Sequence, residues 1–284
     1  MPGSETGAVP LLRLKRRGNW RGLVPVTLLV LAGFVATACD VSVGGFGNMA
    51  GRATDEWTRT YPLNPGGTVR IANINGRVEI EGVEGSTVDV RAERIARAAT
   101  ETGAREMLQR IVIKEDARPE RVSVETERMS GLIIGVSTEV RYHVRAPKTA
   151  AIEVSNTNGL ITVSNLAGKV VAHTTNGGVA GKGLSGGVDA RATNGGVNVE
   201  LASLGSDAVV VDTTNGGVTL TLPETSKADI TASCTNGGIS VSGGKIEVSE
   251  QTRRRFAGRM NGGGTSVDLH TTNGGVRVQT ASGT

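Results

Sequence analysis

The chain has 284 residues and a formal charge of +4, with 41 Gly, 8 Pro and an aromatic content of only 2%. So many glycines and so few rings exclude a core built on aromatic anchors, and point instead to strands and tight turns whose interior is filled by Val, Ile, Leu, Ala and Thr. The charge does not indicate nucleic-acid binding. Arg13, Lys15, Arg16, Arg17 and Arg21 against Glu5 account for the excess in residues 1–38, leaving 26 basic and 26 acidic side chains in the rest. A neutral body without stacking rings offers neither a phosphate-tracking field nor base platforms.

Residues 11–22 are basic, residues 23–38 are apolar, and Ala36-Thr37-Ala38 supplies the small side chains of a signal-peptide cleavage site. The apolar run is about 16 residues, and a membrane-spanning helix needs roughly 20, which favours a cleaved leader. Gly18 and Asn19 after Arg16-Arg17 fit a plain basic leader better than a twin-arginine signal. Cys39 follows the leader directly, and Ala-Thr-Ala-Cys resembles a bacterial lipoprotein box, although Ala36 stands where Leu is commoner. That resemblance implies diacylation of Cys39, attachment to a membrane through the lipid, and a place in the cell envelope facing the periplasm or the exterior. Lipidation leaves Cys234 without an intramolecular partner, whereas a free Cys39 would permit a Cys39–Cys234 bridge in an oxidising compartment. Residues 39–65 are rich in Gly, Ser and Thr and have no period, so a flexible tether is expected there, with Trp57 and Tyr61 docking its end.

Residues 66–150 form the next segment. Val69 and Ile71, Val78 and Ile80, Val88 and Val90, then Val122 and Val124, and Val140, Tyr142 and Val144 alternate with polar residues, which predicts strands. Between them Ala104, Met107, Leu108 and Ile111 have the spacing of one short amphipathic helix, expected to cover an end or flank of the sheet.

From residue 151 to 284 the chain repeats. Asn158, Asn176, Asn194, Asn215, Asn236 and Asn273 each precede Gly, at steps of 18, 18, 21, 21 and 37 residues, and Asn75-Gly76 is an earlier copy. The last step reads as two coils with a degenerate Asn261-Gly262-Gly263-Gly264 corner inside it. Around each Asn the apolar residues fall in columns of period two, so each coil reads as strand, Asn-Gly corner, strand and a second, variable corner. Gly suits a corner that needs positive φ, and Asn tolerates it best among other residues. Asn side chains stacked about 4.8 Å apart would hydrogen-bond along the stack. Asn-Gly is also the signal of a type I′ hairpin, so a serial antiparallel meander competes; the constant corner in every coil favours an all-β, single-chain β-solenoid of the parallel β-helix kind.

The Arg145-Ala146-Pro147-Lys148 stretch, the repeated Thr-Asn-Gly-Gly-Val corners, the helix-bearing β segment and Phe256 before Asn261-Gly-Gly-Gly together resemble the bacterial putative-adhesin family with β-strand repeats, over residues 66–280. The resemblance implies a β-solenoid in a secreted or envelope protein and brings no catalytic residues.

The residues themselves give little chemistry. His143, His173 and His270 are too scattered for a metal, Asp189 and Asp212 occupy different columns, and Cys234 fills an inward column, so no metal, cofactor or catalytic group is expected. Thr175, Thr193, Thr214, Thr235 and Thr272 precede the corner Asn and should form an outward hydroxyl ladder that could meet an ordered surface such as a polysaccharide. Arg253, Arg254, Arg255 and Arg259 form a basic insertion. The expected role is a non-catalytic, lipid-anchored adhesin-like or envelope-structural module with an envelope protein or glycan as partner. The alternatives are an accessory or sensor protein in envelope stress signalling and a carbohydrate-active β-helix enzyme.

Overall fold

The structure is a computed structural model that describes residues 50–129 and 135–281. The expected leader and Cys39 lie outside the described residues. After β1 (Gly51–Pro62), the first strand–corner–strand unit is β2 (Thr68–Asn75) with β3 (Val78–Val83). An excursion follows through β4 (Thr87–Ala98), α1 (Glu101–Gln109), β5 (Ile113–Arg118), β6 (Arg121–Thr126) and β7 (Ser137–Pro147). Four units come next: β8 (Ala151–Asn158) with β9 (Ile161–Ser164), β10 (Val170–Asn176) with β11 (Val179–Leu184), β12 (Val188–Asn194) with β13 (Val197–Leu201), and β14 (Val209–Asn215) with β15 (Val218–Pro223). Then come β16 (Ala228–Asn236) with β17 (Ile239–Ser242), the hairpin β18 (Ile246–Gln251) and β19 (Arg255–Met260), and β20 (Thr265–Asn273) with β21 (Val276–Ala281).

The first strand of each unit enters an eleven-stranded sheet and the second a ten-stranded sheet. Units pair in parallel with Asn75 beside Asn158, then Asn176, Asn194 and Asn215 in turn. Parallel pairing rules out the meander and gives a β-solenoid. The sequence period explains the core: Ile71, Val154, Ala172, Ala190 and Val211 from one sheet, and Ile80, Val163, Val199 and Leu220 from the other, are all at most 3% exposed. Each buried Val, Ile or Leu contributes roughly 1.5–3 kcal/mol relative to exposure. The core runs without a break from the β2/β3 unit into the later ones.

Spatial order departs from chain order at both ends. The β6/β7 unit lies outside the β2/β3 unit, and the final unit β20/β21 lies between β14/β15 and β16/β17. Both ends are made in the same way, as an opened hairpin. β3 and β4 are joined by a short turn yet admit β7 between them, and β19 and β20 are joined by Asn261–Gly264 yet admit β16. Asn261 (φ 52°), Gly262 and Gly263 are left-handed, and Asn261 Nδ2 donates to the carbonyls of Glu224 and Ser226. The Asn261-Gly-Gly-Gly run is therefore a crossing turn, and the expected degenerate coil does not exist. A 37-residue step looked like two coils because the β18–β19 hairpin is close to a coil in length.

Half of the expected tether is strand. β1 pairs antiparallel along all of β4, with Tyr61 buried and Trp57 packed against the core, and Arg59 lies 5.0 Å from the Trp57 ring centre. As an edge strand with charges on an accessible face, it shows little apolar alternation. The helix is capped by Thr100, whose hydroxyl accepts from Gly103 N at 3.1 Å, and buries Ala104, Met107 and Leu108 against β1 and β4. Among the described residues no helix is long and apolar enough to cross a membrane.

Candidate functional site

One long edge of the solenoid carries the Asn-Gly corners. Asn158 Nδ2 donates to Asn75 Oδ1 (2.6 Å), Asn176 to Asn158 (2.8 Å), Asn194 to Asn176 (2.9 Å), Asn215 to Asn194 (2.9 Å), Asn273 to Asn215 (2.8 Å) and Asn236 to Asn273 (2.8 Å). The ladder thus has seven members, including Asn75. Its order, with Asn273 before Asn236, follows the stacking of units.

The corner glycines are required for one reason that was expected and one that was not: Gly76, Gly159, Gly177, Gly195 and Gly274 have positive φ, between 119° and 158°. None of the ladder asparagines has positive φ, and neither do Gly216 and Gly237. What also demands Gly, at these corners as well, is the neighbouring unit's backbone: a Cβ on Gly216 would lie 2.2 Å from the carbonyl oxygen of Gly195, and one on Gly177 would lie 2.1 Å from that of Gly159. No side chain fits between corners stacked at this distance.

The carbonyls that crowd these glycines accept a second row of hydrogen bonds from inside. Asn156 Nδ2 donates to Gly76 O (2.7 Å), Thr213 Oγ1 to Gly195 O (2.8 Å), Thr271 Oγ1 to Gly216 O (2.8 Å) and Thr174 Oγ1, more weakly, to Gly159 O (3.3 Å). Ala192 and Cys234 occupy the same column without such a donor; the Cys234 thiol is buried, 4.0 Å from Arg253 O. At the N-terminal end the row continues into Asn73, whose Oδ1 accepts from Thr126 Oγ1, itself 2.7 Å from the buried Tyr142 hydroxyl. Burial pushes Tyr142 ionisation up to about 12, and burial followed by a hydrogen bond to Glu115 pushes that of Tyr61 up as well.

Outside, Thr175, Thr193, Thr214 and Thr235 are exposed and Thr272 half-buried, and Thr157 precedes them in the stack. The first three and Thr157 line one side of an open groove with Ser155, His173, Arg191 and Asp212. From two residues before each Asn to three after it, the six units from Asn158 to Asn236 carry no charged side chain.

Among the described residues, the one arrangement resembling catalytic machinery was invisible in the sequence. Inserting β20 places His270 between Asp212 and Ser233 on adjacent strands. Ser233 Oγ lies 2.9 Å from His270 Nδ1, which leaves the ring's other nitrogen as the only one that could face a carboxylate, and no contact with Asp212 is formed. A nucleophilic triad needs the hydroxyl and the carboxylate on opposite ring nitrogens, so this row is a hydrogen-bonded pair. His173 and Arg191 instead share Asp189, at 3.5 and 2.8 Å. Among the described residues no group of His, Cys, Asp or Glu is placed to hold a metal.

The stack ends at the basic insertion. Ile239 N donates to Arg253 O (3.2 Å), as Val276 N does to Gly238 O (3.0 Å), so Arg253 stands where the second corner glycine of a further unit would stand. Cys234 N donates to Arg254 O, and Thr252 Oγ1 accepts from the amides of Arg254 and Arg255.

A family model described as Toastrack DUF4097 matches residues 122–279, which span β6 to β21. No curated protein matches the chain. Among solved structures, the chain is similar to a putative cell adhesion protein from Clostridium sporogenes, at 13% identity and a TM-score of 0.46, covering 81% of this chain and 100% of the other. It is also similar to a putative adhesin from Bacteroides fragilis, at 8% identity and a TM-score of 0.27, covering 80% and 97%.

Proposed function

We propose, starting from the fact that the chain belongs to the Toastrack DUF4097 family, that it is a non-catalytic, lipid-anchored interaction module of the cell envelope. The observation that carries this reading is the corner edge. Six consecutive units present Thr157, Thr175, Thr193, Thr214, Thr272 and Thr235 at strand spacing, backed by the asparagine ladder and free of charge. A repeating, rigid, uncharged row meets an extended, ordered partner along its length; a small molecule would need a concave pocket. Cys39 supplies the attachment. Intact mass and detergent partitioning of the exported chain, beside Cys39→Ser, test this. A mature species beginning at Cys39, heavier by a diacylglyceryl group and partitioning into detergent only when Cys39 is present, is the expected result. An unmodified, water-soluble species from both chains would refute the anchor.

A further inference from the structure

Two features at opposite ends of the solenoid lie on the same side. β1 runs parallel to β7 across β4, with Trp57 level with Ala92, Tyr142 and Val78. Val78 begins just after the Asn75-Gly76 corner, so Gly51, six residues earlier in β1, lies beyond the corners on their own side. The described chain therefore begins, at β1, on the corner side of the fold. At the other end the Thr252–Arg255 turn closes the same edge, because Arg253 replaces a corner glycine.

β1 and β17 are the two outer strands of the ten-stranded sheet, which separates these points by roughly 43 Å at about 4.8 Å per strand.

The turn is also where positive charge is left over. Residues 245–261 hold Lys245, Arg253, Arg254, Arg255 and Arg259 against Glu247 and Glu250. Arg259 pairs with Asp229, while Arg253, Arg254 and Arg255 are exposed and make no ion pair among the described residues. Their backbone is held by the stack, so three guanidinium groups are presented from a fixed base. At the β1 end the charges are matched, as in Arg52 with Glu93 and Arg105 with Glu101.

We infer that the corner edge lies along an anionic lipid bilayer, held at one end by the chain leading from Cys39 and at the other by Arg253, Arg254 and Arg255 on phospholipid headgroups. This rests on the envelope reading above and names the partner of that edge. A lipid chain and a basic cluster are the two signals that together fix a protein to a membrane surface, and guanidinium forks suit phosphate oxygens. From Asn158 to Asn236 the edge brings no carboxylate to the negatively charged surface, and nearer β1 the carboxylate at the Asn75-Gly76 corner, Glu139, is paired with Arg97 and Arg141.

The test uses the mature-length chain carrying Cys39→Ser, so that acylation does not contribute, floated with vesicles of phosphatidylglycerol and phosphatidylcholine or of phosphatidylcholine alone. Binding is expected only to the anionic vesicles, weakening with salt. Replacing all three arginines with Ser should weaken it roughly 100-fold, and replacing them with Lys should retain it. A fluorophore on Thr193→Cys, at the edge, should be quenched by headgroup-labelled lipid, and one on Ser203→Cys should not. Equal binding to both vesicles, none to either, a Lys variant as weak as the Ser variant, or equal quenching at 193 and 203 overturns the inference. Retention on an acidic glycan without vesicle binding assigns the arginines to a polysaccharide and equally overturns it. The anchor is judged separately, by the mass of the wild-type chain.

Discussion

The N-terminal end and the repeat body use the same two sheets but are held together differently. In β1, β4 and β7 the strands are antiparallel and the accessible face is crossed by charge pairs: Arg94 with Asp55, Arg91 with Glu56, and Arg141 with Glu139 and Glu93. In β8 to β15 the strands are parallel and the recurring contacts are uncharged, asparagine to asparagine outside and threonine to glycine carbonyl inside. Exposed ion pairs are each worth about 0–1 kcal/mol and fade with salt. Hydrogen bonds backed by close stacking do not depend on salt, but they tolerate no added atom. The repeat body has become specific through backbone proximity, and the N-terminal end through side-chain pairing.

The comparison can be broken most severely at the swapped end. Deleting residues 265–284 removes the unit on which β16 and β17 rest, so limited proteolysis should cut residues 228–260 readily while residues 68–223 stay protected. If 228–260 remained protected, β16 would have moved onto β14, and stacking order would follow the corner pattern alone. Next in size is Gly216→Ala, where a Cβ would overlap Gly195 O at a backbone conformation Ala accepts. A loss above about 3 kcal/mol is expected, of the overpacking kind. Gly66→Ala, at φ 73° with nothing within 4 Å, should cost only about 1 kcal/mol in a denaturant titration.

Alkaline pH separates the regions, because both tyrosines of the chain, Tyr61 and Tyr142, belong to the N-terminal end. The fold favours their neutral form. That stabilisation is complete below the ordinary phenol value of 10.0 and is lost as pH rises through about 12, where Tyr142 ionises. Hydrogen exchange from pH 8 upward, corrected for intrinsic rate, should show β6 and β7 opening before β10 to β14; simultaneous opening would contradict the assignment. Asn194→Ala, which cuts two ladder bonds, should lower stability by about 1–2 kcal/mol at any salt concentration. The smallest effect is a gain. Ala192→Thr restores a donor for Gly177 O, and a rise in Tm corresponding to about 0.5–1 kcal/mol is expected.

How much was legible follows from where the information sits. The corner asparagines, the inward columns and the short helix could be read directly, because period and composition are local. β1 was missed because an edge strand with solvated charges loses the apolar alternation that marks buried ones. The Asn261 turn was mistaken for a corner because a short motif does not say which backbone shape it adopts. Asn75 and Thr157 were within reach, since both sit at copies of the corner already recognised. The row from Asn156 to Thr271 could be seen as small inward residues, but its donors had no visible acceptors until the units were stacked.

Left to itself, the sequence determined that the chain repeats, which face of each strand is buried and that every unit turns at Asn-Gly, because those depend on residues near one another in the chain. Only the tertiary structure decided which unit lies beside which. A parallel stack accepts any unit of matching pattern, and the choice falls to the connections: the crossing turn at Asn261 and the hairpin before it put the last unit inside the stack. That choice set His270 between Asp212 and Ser233 and put Asn273 ahead of Asn236 in the ladder. It also left the arginine turn to close the edge on which the described chain begins.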